Sequence, residues 1–197
     1  MNKIRVMNEL LSNKIAAGEV VEKVVSIVKE LVENSVDAKA TNIKIDLKEA
    51  GIREIIVTDN GIGMNREDAP LAFQRHATSK LYTDDDLWNI SSLGFRGEAL
   101  PSIAAVSDVI LKTCDGEVGT MVHIKGGKIE KVTNSETRIG TQITVTSMFY
   151  NTPARLKHLR SPYAELANVV EYVNKMALSY PSIKSVSYTH LTLPTKA

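Results

Sequence analysis

Lys29–Ala38 reads KELVENSVDA, and its spacing decides more about the fold than any other stretch of the 197-residue chain. Val21, Val24, Val25, Val28, Leu31 and Val32 recur at the three-and-four spacing of a buried helical stripe. Glu30 and Asn34 lie one turn apart, so they project side by side from the opposite face. An acid and an amide in that relation suit a metal–phosphate site. The carboxylate can polarise a water, and the amide oxygen is a hard ligand for Mg²⁺. For this helix alone, a solvated polar face is the competing reading.

Three later segments shift the balance. Ile52–Thr58 is rich in β-branched residues and reads as a strand ending in Asp59-Asn60-Gly61-Ile62-Gly63. Its glycines permit a sharp turn and close approach of a ligand, and an Asp held at a strand end can accept a hydrogen bond from an exocyclic amine such as adenine's. Leu93–Leu100, LGFRGEAL, is a Gly-rich loop opening a helix. Backbone N–H groups at a helix start, with Arg96 beside them, form an anion site. The Gly-Lys-Ser/Thr of a Walker A loop is absent. Arg75–Lys80, RHATSK, gathers two hydroxyls and two cations in one short loop.

Taken in order, these motifs resemble the MutL family of DNA mismatch-repair ATPases, within the wider GHKL (Bergerat) group that includes gyrase B, the large heat-shock chaperones and histidine kinases. The looser group-wide signals are Glu30–Ser35 with Asp37-Ala38, Asp59–Gly63 and Gly140-Thr141. The narrower ones are Asn13–Val21 (NKIAAGEVV), Arg75–Lys80, Gly94–Leu100 and Phe149–Arg155 (FYNTPAR). The likeness runs from about residue 4 to about residue 184.

The resemblance implies roles for individual residues. Glu30 matches the general base that activates the attacking water. Asn34 matches the Mg²⁺ ligand, the metal also bridging the triphosphate of ATP. Asp59 matches the acid that reads the adenine amine, helped by Thr141, with Gly61, Gly63 and Met64 making room for the nucleotide. Thr78, Ser79 and Lys80, with Leu93, Gly94, Phe95, Arg96, Gly97, Glu98, Ala99 and Leu100, match the lid over the phosphates. Phosphoryl transfer to water needs chiefly positioning, charge neutralisation and one group to orient the nucleophile.

Composition sets outer bounds. Hydrophobic residues make up 43% and charged residues 24%, ordinary for a globular domain. A net charge of +1 gives no global field for nucleic acid, so DNA contact needs a local patch. Arg155, Lys157, His158 and Arg160 form the densest basic run, either an exposed helix start or non-sequence-specific phosphate contacts. No apolar run spans a bilayer and the N-terminus lacks a signal-peptide core, so no membrane partner is expected. Cys114 is the single cysteine, excluding an internal disulfide and favouring a cytoplasmic setting; on a strand it reads as a small core residue. His76 and His123 lack neighbours at zinc-ligand spacing, and Asp84-Asp85-Asp86 reads as a solvated loop or helix cap.

The fold class expected is α+β. Strands at 42–47, 52–58, 108–113, 120–125, 128–133 and 142–147 pair largely in sequence, Lys48–Gly51 closing a hairpin. Helices fall at 98–106 and around Leu166, Val169, Val170, Val173 and Met176, and 70–89 is mostly loop and short helix. The resemblance sharpens this to a two-layer α/β sandwich, a mixed and mostly antiparallel sheet with helices on one face.

The ATPase domain is expected over 1–185, with 1–20 as a lid or dimer arm. Glu22–Val25 replaces the family's Arg-Pro-Ala-type segment, so the helix start can shift. Lys39 stands where a glycine is usual, at a cost on the order of 1 kcal/mol if left-handed. Pro101 sits near the lid helix start, where proline is tolerated. Ser185–Ala197 does not resemble the family's next strand, and 186–197 reads as a non-native tail. The family's second (transducer) domain, which brings a lysine to the γ-phosphate and a DNA groove, and its dimerising C-terminal domain are expected to be absent. The implied full-length protein is an ATP-gated homodimer that signals to a mismatch-recognition partner of the MutS type. Three alternatives remain open: a conformational module without appreciable turnover, a gyrase B-like ATPase and a histidine kinase. FYNTPAR and GFRGEAL disfavour the gyrase or chaperone readings, and a kinase needs a phosphorylatable His in a helical hairpin before Glu30, where none is found.

Overall fold

The computed structural model describes residues 5–80, 88, 92–94 and 96–190, with only the backbone of Glu9 and Leu10. Asp84-Asp85-Asp86 and Phe95 lie outside the described residues. In chain order the helices are α1 (Glu9–Val20), α2 (Val24–Asp37), α3 (Asp68–Leu71), α4 (Ala99–Val106), α5 (Pro153–His158) and α6 (Pro162–Ser179). The strands are β1 (Asn42–Lys48), β2 (Glu54–Asp59), β3 (Asp108–Cys114), β4 (Thr120–Lys125), β5 (Lys128–Asn134), β6 (Gly140–Thr146) and β7 (Lys184–His190).

They form one seven-stranded sheet in the order β5-β4-β3-β6-β2-β1-β7. Every pairing is antiparallel except β1 with β7. Alternate residues of the strands, among them Ile43, Ile45, Leu47, Ile55, Val57, Val109, Leu111, Val122, Ile124, Ile143 and Val145, are buried beneath the helices. The residues between them face the open side. This is the two-layer, mostly antiparallel sandwich expected.

Helix α2 follows from its sequence pattern. Val24, Ile27, Val28, Leu31 and Val32 are buried on one face, each contributing roughly 1.5–3 kcal/mol through lost apolar exposure. The helix starts at Val24, not Val21. Val21 instead ends α1 with its amide on the Ala17 carbonyl at 2.8 Å, and Lys23 is an extended N-cap with no side-chain hydrogen bond. The substitution of the usual segment by Glu22–Val25 coincides with that break. Lys39 follows α2 at φ 61°, the left-handed position where a β-carbon costs on the order of 1 kcal/mol. Pro101 is the third residue of α4, where no intrahelical amide bond is lost.

Residues 9–20, expected as an arm, form α1. Asn8 caps it, its Oδ1 accepting from Leu11 N at 2.8 Å, and Ala17 is fully buried. The β4–β5 hairpin turns on Gly126 and Gly127 at φ 57° and 83°, the mirror-type two-residue turn that matches strand twist. The β1–β2 link is longer than the hairpin expected: Glu49–Gly51 makes a 3₁₀ turn, so β2 opens at Glu54 rather than Ile52. The expected domain boundary at 185 falls inside β7. Residues 186–190 continue the ladder beside β1, with Ser187, Tyr188, Thr189 and His190 exposed. The strand is held by backbone pairing with β1 and by contacts such as Lys44 Nζ, 5.0 Å from the Tyr188 ring centre, and its mostly exposed side chains give it no apolar period. Residues 191–197 lie outside the described residues.

Candidate functional site

The site is built around the exposed edge and C-terminal end of α2. Glu30 and Asn34 are half-buried on it, about 6 Å apart along the axis. Ser35, buried, turns toward the sheet and donates from its hydroxyl to Asp59 Oδ2 at 2.9 Å. That bond ties the helix to the end of β2.

Asp59 is 6% exposed. Its Oδ1 accepts from Gly61 N at 2.8 Å and from Thr141 N at 3.2 Å. Among the described residues its Oδ2 accepts from the Ser35 hydroxyl alone, which leaves a lone pair for a further donor. Burial, the largest influence, raises the Asp59 carboxyl above its ordinary 3.8, against the lowering by Gly61, Ser35, Thr141 and Arg138. Thr141 faces Thr113, the two hydroxyls 3.0 Å apart, and Thr113 Oγ1 also accepts from Met64 N at 2.9 Å. A cavity of about 130 Å³ opens here, lined by Asp59, Thr113, Thr141, Arg138 and their neighbours but not by Glu30 or Asn34. It is smaller than the roughly 300 Å³ at which ligand pockets begin.

At Gly61 and Gly63 the absent β-carbon makes way for the protein itself. A β-carbon on Gly61 would meet Ala38 at the end of α2, and one on Gly63, at φ 69°, would strike the Cys114 carbonyl. The space is filled by the protein's own backbone, which locks the strand end against α2 and β3.

Lys80 and the Leu93 and Gly94 amides converge on Asp37. Lys80 Nζ lies 2.6 Å from Asp37 Oδ2 and 3.1 Å from Asn34 Oδ1. Leu93 N and Gly94 N donate to the two Asp37 oxygens at 3.0 and 3.2 Å. Burial pushes the Asp37 carboxyl up, but Lys80 and these two amides together outweigh it and hold it below the ordinary 3.8. Glu30 goes the other way. Burial raises it above 4.5, opposed by the charges of Lys29, Lys80 and Arg96. Burial likewise raises Glu33, and it raises the Tyr172 hydroxyl on α6, which also faces Glu33 and Glu30.

Thr78 Oγ1 accepts from Lys80 N at 3.1 Å, and Ser79 is exposed. The 75–80 loop meets the Gly-rich loop through His76 N, which donates to the Gly97 carbonyl at 3.1 Å, and through His76 Nδ1, 3.6 Å from Glu98 Oε1. Gly97 sits at φ 61° with Ala77 backbone where a β-carbon would be, so only glycine fits. Glu98 stands at the N-cap position of α4 without a side-chain hydrogen bond to it, Ala99 and Leu100 form the first turn, and Arg96 is exposed near Glu30. The motif reading of the sequence misses Asp37 as a site residue. Its signal was present: Glu30, Asn34 and Asp37 fall at i, i+4 and i+7, one helical face.

Elsewhere, Cys114 is buried and free, and His123 Nε2 lies 2.8 Å from Asp108 Oδ1. Of the basic run, Lys157, His158 and Arg160 are exposed. Arg155 is half-buried, its guanidinium filling the space that a β-carbon on Gly18 would need, so it is engaged with α1 instead of open to solvent. Among the described residues no helix is long and apolar enough to cross a membrane.

The chain is 52% identical over 183 residues to the DNA mismatch repair protein MutL of Lactiplantibacillus plantarum, covering 93% of this chain and 27% of that protein. It is 54% identical over 184 residues to MutL of a Geobacillus species, covering 93% and 30%. The chain thus spans less than a third of the length of these relatives. Among solved structures, the Aquifex aeolicus MutL ATPase domain complexed with ADP superposes at a TM-score of 0.68 with 30% identity, covering 86% of this chain and 61% of that one. The model of the histidine kinase-, DNA gyrase B- and HSP90-like ATPases matches residues 22–161, which hold Glu30, Asn34, Asp59, the lid and Thr141, and the chain belongs to that family.

Proposed function

We propose that this chain is the ATP-binding and slowly hydrolysing N-terminal part of a MutL-like mismatch-repair protein. The observation that carries the reading is the line along α2. A base-reading carboxylate with one open lone pair is tied to Ser35, an amide oxygen already drawing a cation is at Asn34, and a carboxylate raised by burial is at Glu30. A donor set that holds the Lys80 ammonium at Asn34 Oδ1 fits a hard cation such as Mg²⁺. Bound Mg²⁺ would neutralise charge on the triphosphate. Asp59 accepts from the exocyclic amine of adenine. Glu30 orients a water and takes its proton, a role that its raised proton affinity suits. The Leu93 and Gly94 amides and Lys80 hold the phosphates. ATP, closing the lid, acts as a switch for dimerisation of the full-length protein, for a MutS-type partner and for weak DNA contact through Lys157 and Arg160, in the cytoplasm.

A second reading, a nucleotide-gated module without turnover, is favoured by one observation: Lys80 sits on the Asn34 oxygen that Mg²⁺ needs. Isothermal titration with a Mg²⁺–ATP analogue, beside single-turnover hydrolysis, separates the two. Binding with hydrolysis supports the first, binding alone the second, and no binding removes both.

A further inference from the structure

Glu165 is 0% exposed, in the first turn of α6, and among the described residues it makes no ion pair. A fully buried carboxyl without a cation is costly unless hydrogen bonds satisfy it. Its Oε1 accepts from Arg160 N at 3.2 Å, and its Oε2 accepts from Val24 N at 3.3 Å, across 141 residues of sequence. Val24 is the first residue of α2, whose own N-cap, Lys23, makes no side-chain hydrogen bond. The start of that helix therefore takes its cap from another part of the chain. The same 153–165 segment grips the other side of the α1–α2 break, where Arg155 fills the space over Gly18.

Helix α2 is consequently pinned twice. Ser35 holds its far end to Asp59, and Glu165 holds its start. Glu30 lies between the pins, about 9 Å along the axis from Val24. We propose that Glu165 is a positioning residue: it caps the start of α2 across the fold and fixes Glu30 relative to the sheet-held nucleotide end. The inference rests on the hydrolytic reading of Glu30. It does not touch Asp59, which the sheet places independently.

The test is Glu165→Gln in the full-length chain. An amide presents one acceptor oxygen and one N–H₂ group, so one of the two backbone N–H groups now faces a donor. Expected is a kcat lower by about tenfold with nucleotide-analogue affinity within about twofold, the loss of a cap being of that order. Amide exchange across Val24–Glu30 should accelerate, and the acid limb of the kcat–pH profile should move as the burial of Glu30 changes. Lys23→Asp, which gives α2 an acceptor of its own, should restore kcat in the Glu165→Gln background. Unchanged kcat and exchange, or binding and hydrolysis lost together in proportion to unfolded protein, would overturn the proposal. If Glu165→Gln does not fold, the Glu165→Asp protein with and without Lys23→Asp is read the same way. If the wild type binds nucleotide but never hydrolyses it, the functional reading fails by itself. The positioning claim is then decided by exchange at Lys29–Asn34, and wild-type exchange there in the variant rejects it.

Discussion

The two ends of the site are made differently. At the Asp59 end, a strand terminus, Ser35, the Gly61 and Thr141 amides and the Thr113–Thr141 pair form a closed set, held by a seven-stranded sheet. At the Asp37 end, a carboxylate of the protein holds one ammonium and two loop amides. Those are the groups that an anionic phosphate would take. The Asp59 end is prebuilt, whereas at the other end the protein's own carboxylate holds the loop amides and the Lys80 ammonium.

The contrast can be broken most severely at Glu30. Glu30→Ala should lower hydrolysis by about 10²–10⁴-fold while nucleotide binding stays within about threefold, because a base acts on the water and not on the bound ground state. The wild-type rate should fall as pH drops through the Glu30 value, which burial places above 4.5, since only the ionised form accepts a proton. Single-turnover rates across pH, paired with calorimetry, check both.

Next comes Asp59→Asn. Losing the acceptor for adenine should weaken ATP and ADP alike, by about 10–100-fold. Asn34→Ala, by contrast, should weaken binding only when Mg²⁺ is present. An Asp59 variant that spared ADP would place Asp59 on the phosphate side and reverse the two ends.

A smaller effect is expected at the latch. Asp37→Asn keeps the size but loses the charge that holds Lys80, so amide exchange at Leu93 and Gly94 in the free protein should rise by about tenfold. Asp37 is held below 3.8, so its contribution is complete above 3.8 and is lost as pH falls through the lower folded value. The variant and wild type should therefore differ in melting temperature at pH 7 and converge in strong acid.

The smallest effect belongs to the C-terminal end. Deleting 186–197 removes the exposed part of an edge strand and should shift the melting temperature by about 2–4 °C at most. A larger loss would make β7 as integral as β1.

Most of the layout was legible because it rests on local period. The β-branched alternation announced β1 to β6 within a few residues, and the three-and-four stripe announced α2 and α6. What was not legible lacked a period. Helix α1 has little amphipathic pattern and is stabilised by packing on α4 and by the Asn8 cap. Strand β7 carries mostly exposed side chains, and its pairing with β1 and packing beside α6 are set by the tertiary fold. The glycines were visible, yet the neighbour each one admits comes from a distant segment, Ala38 for Gly61 and Cys114 for Gly63.

By itself the sequence determined the α+β class, the pairing of Glu30 with Asn34 on one helical face and the presence of an acid at the end of β2, because these depend on spacings of a few residues. Only the tertiary structure decided that Ser35 joins that acid to the helix, that Asp37 gathers Lys80 and the lid amides, and that Glu165 caps α2 across 141 residues. The reason is physical. A carboxyl buried among apolar neighbours must find its donors wherever the chain brings them, and those partners depend on how helices and sheet pack.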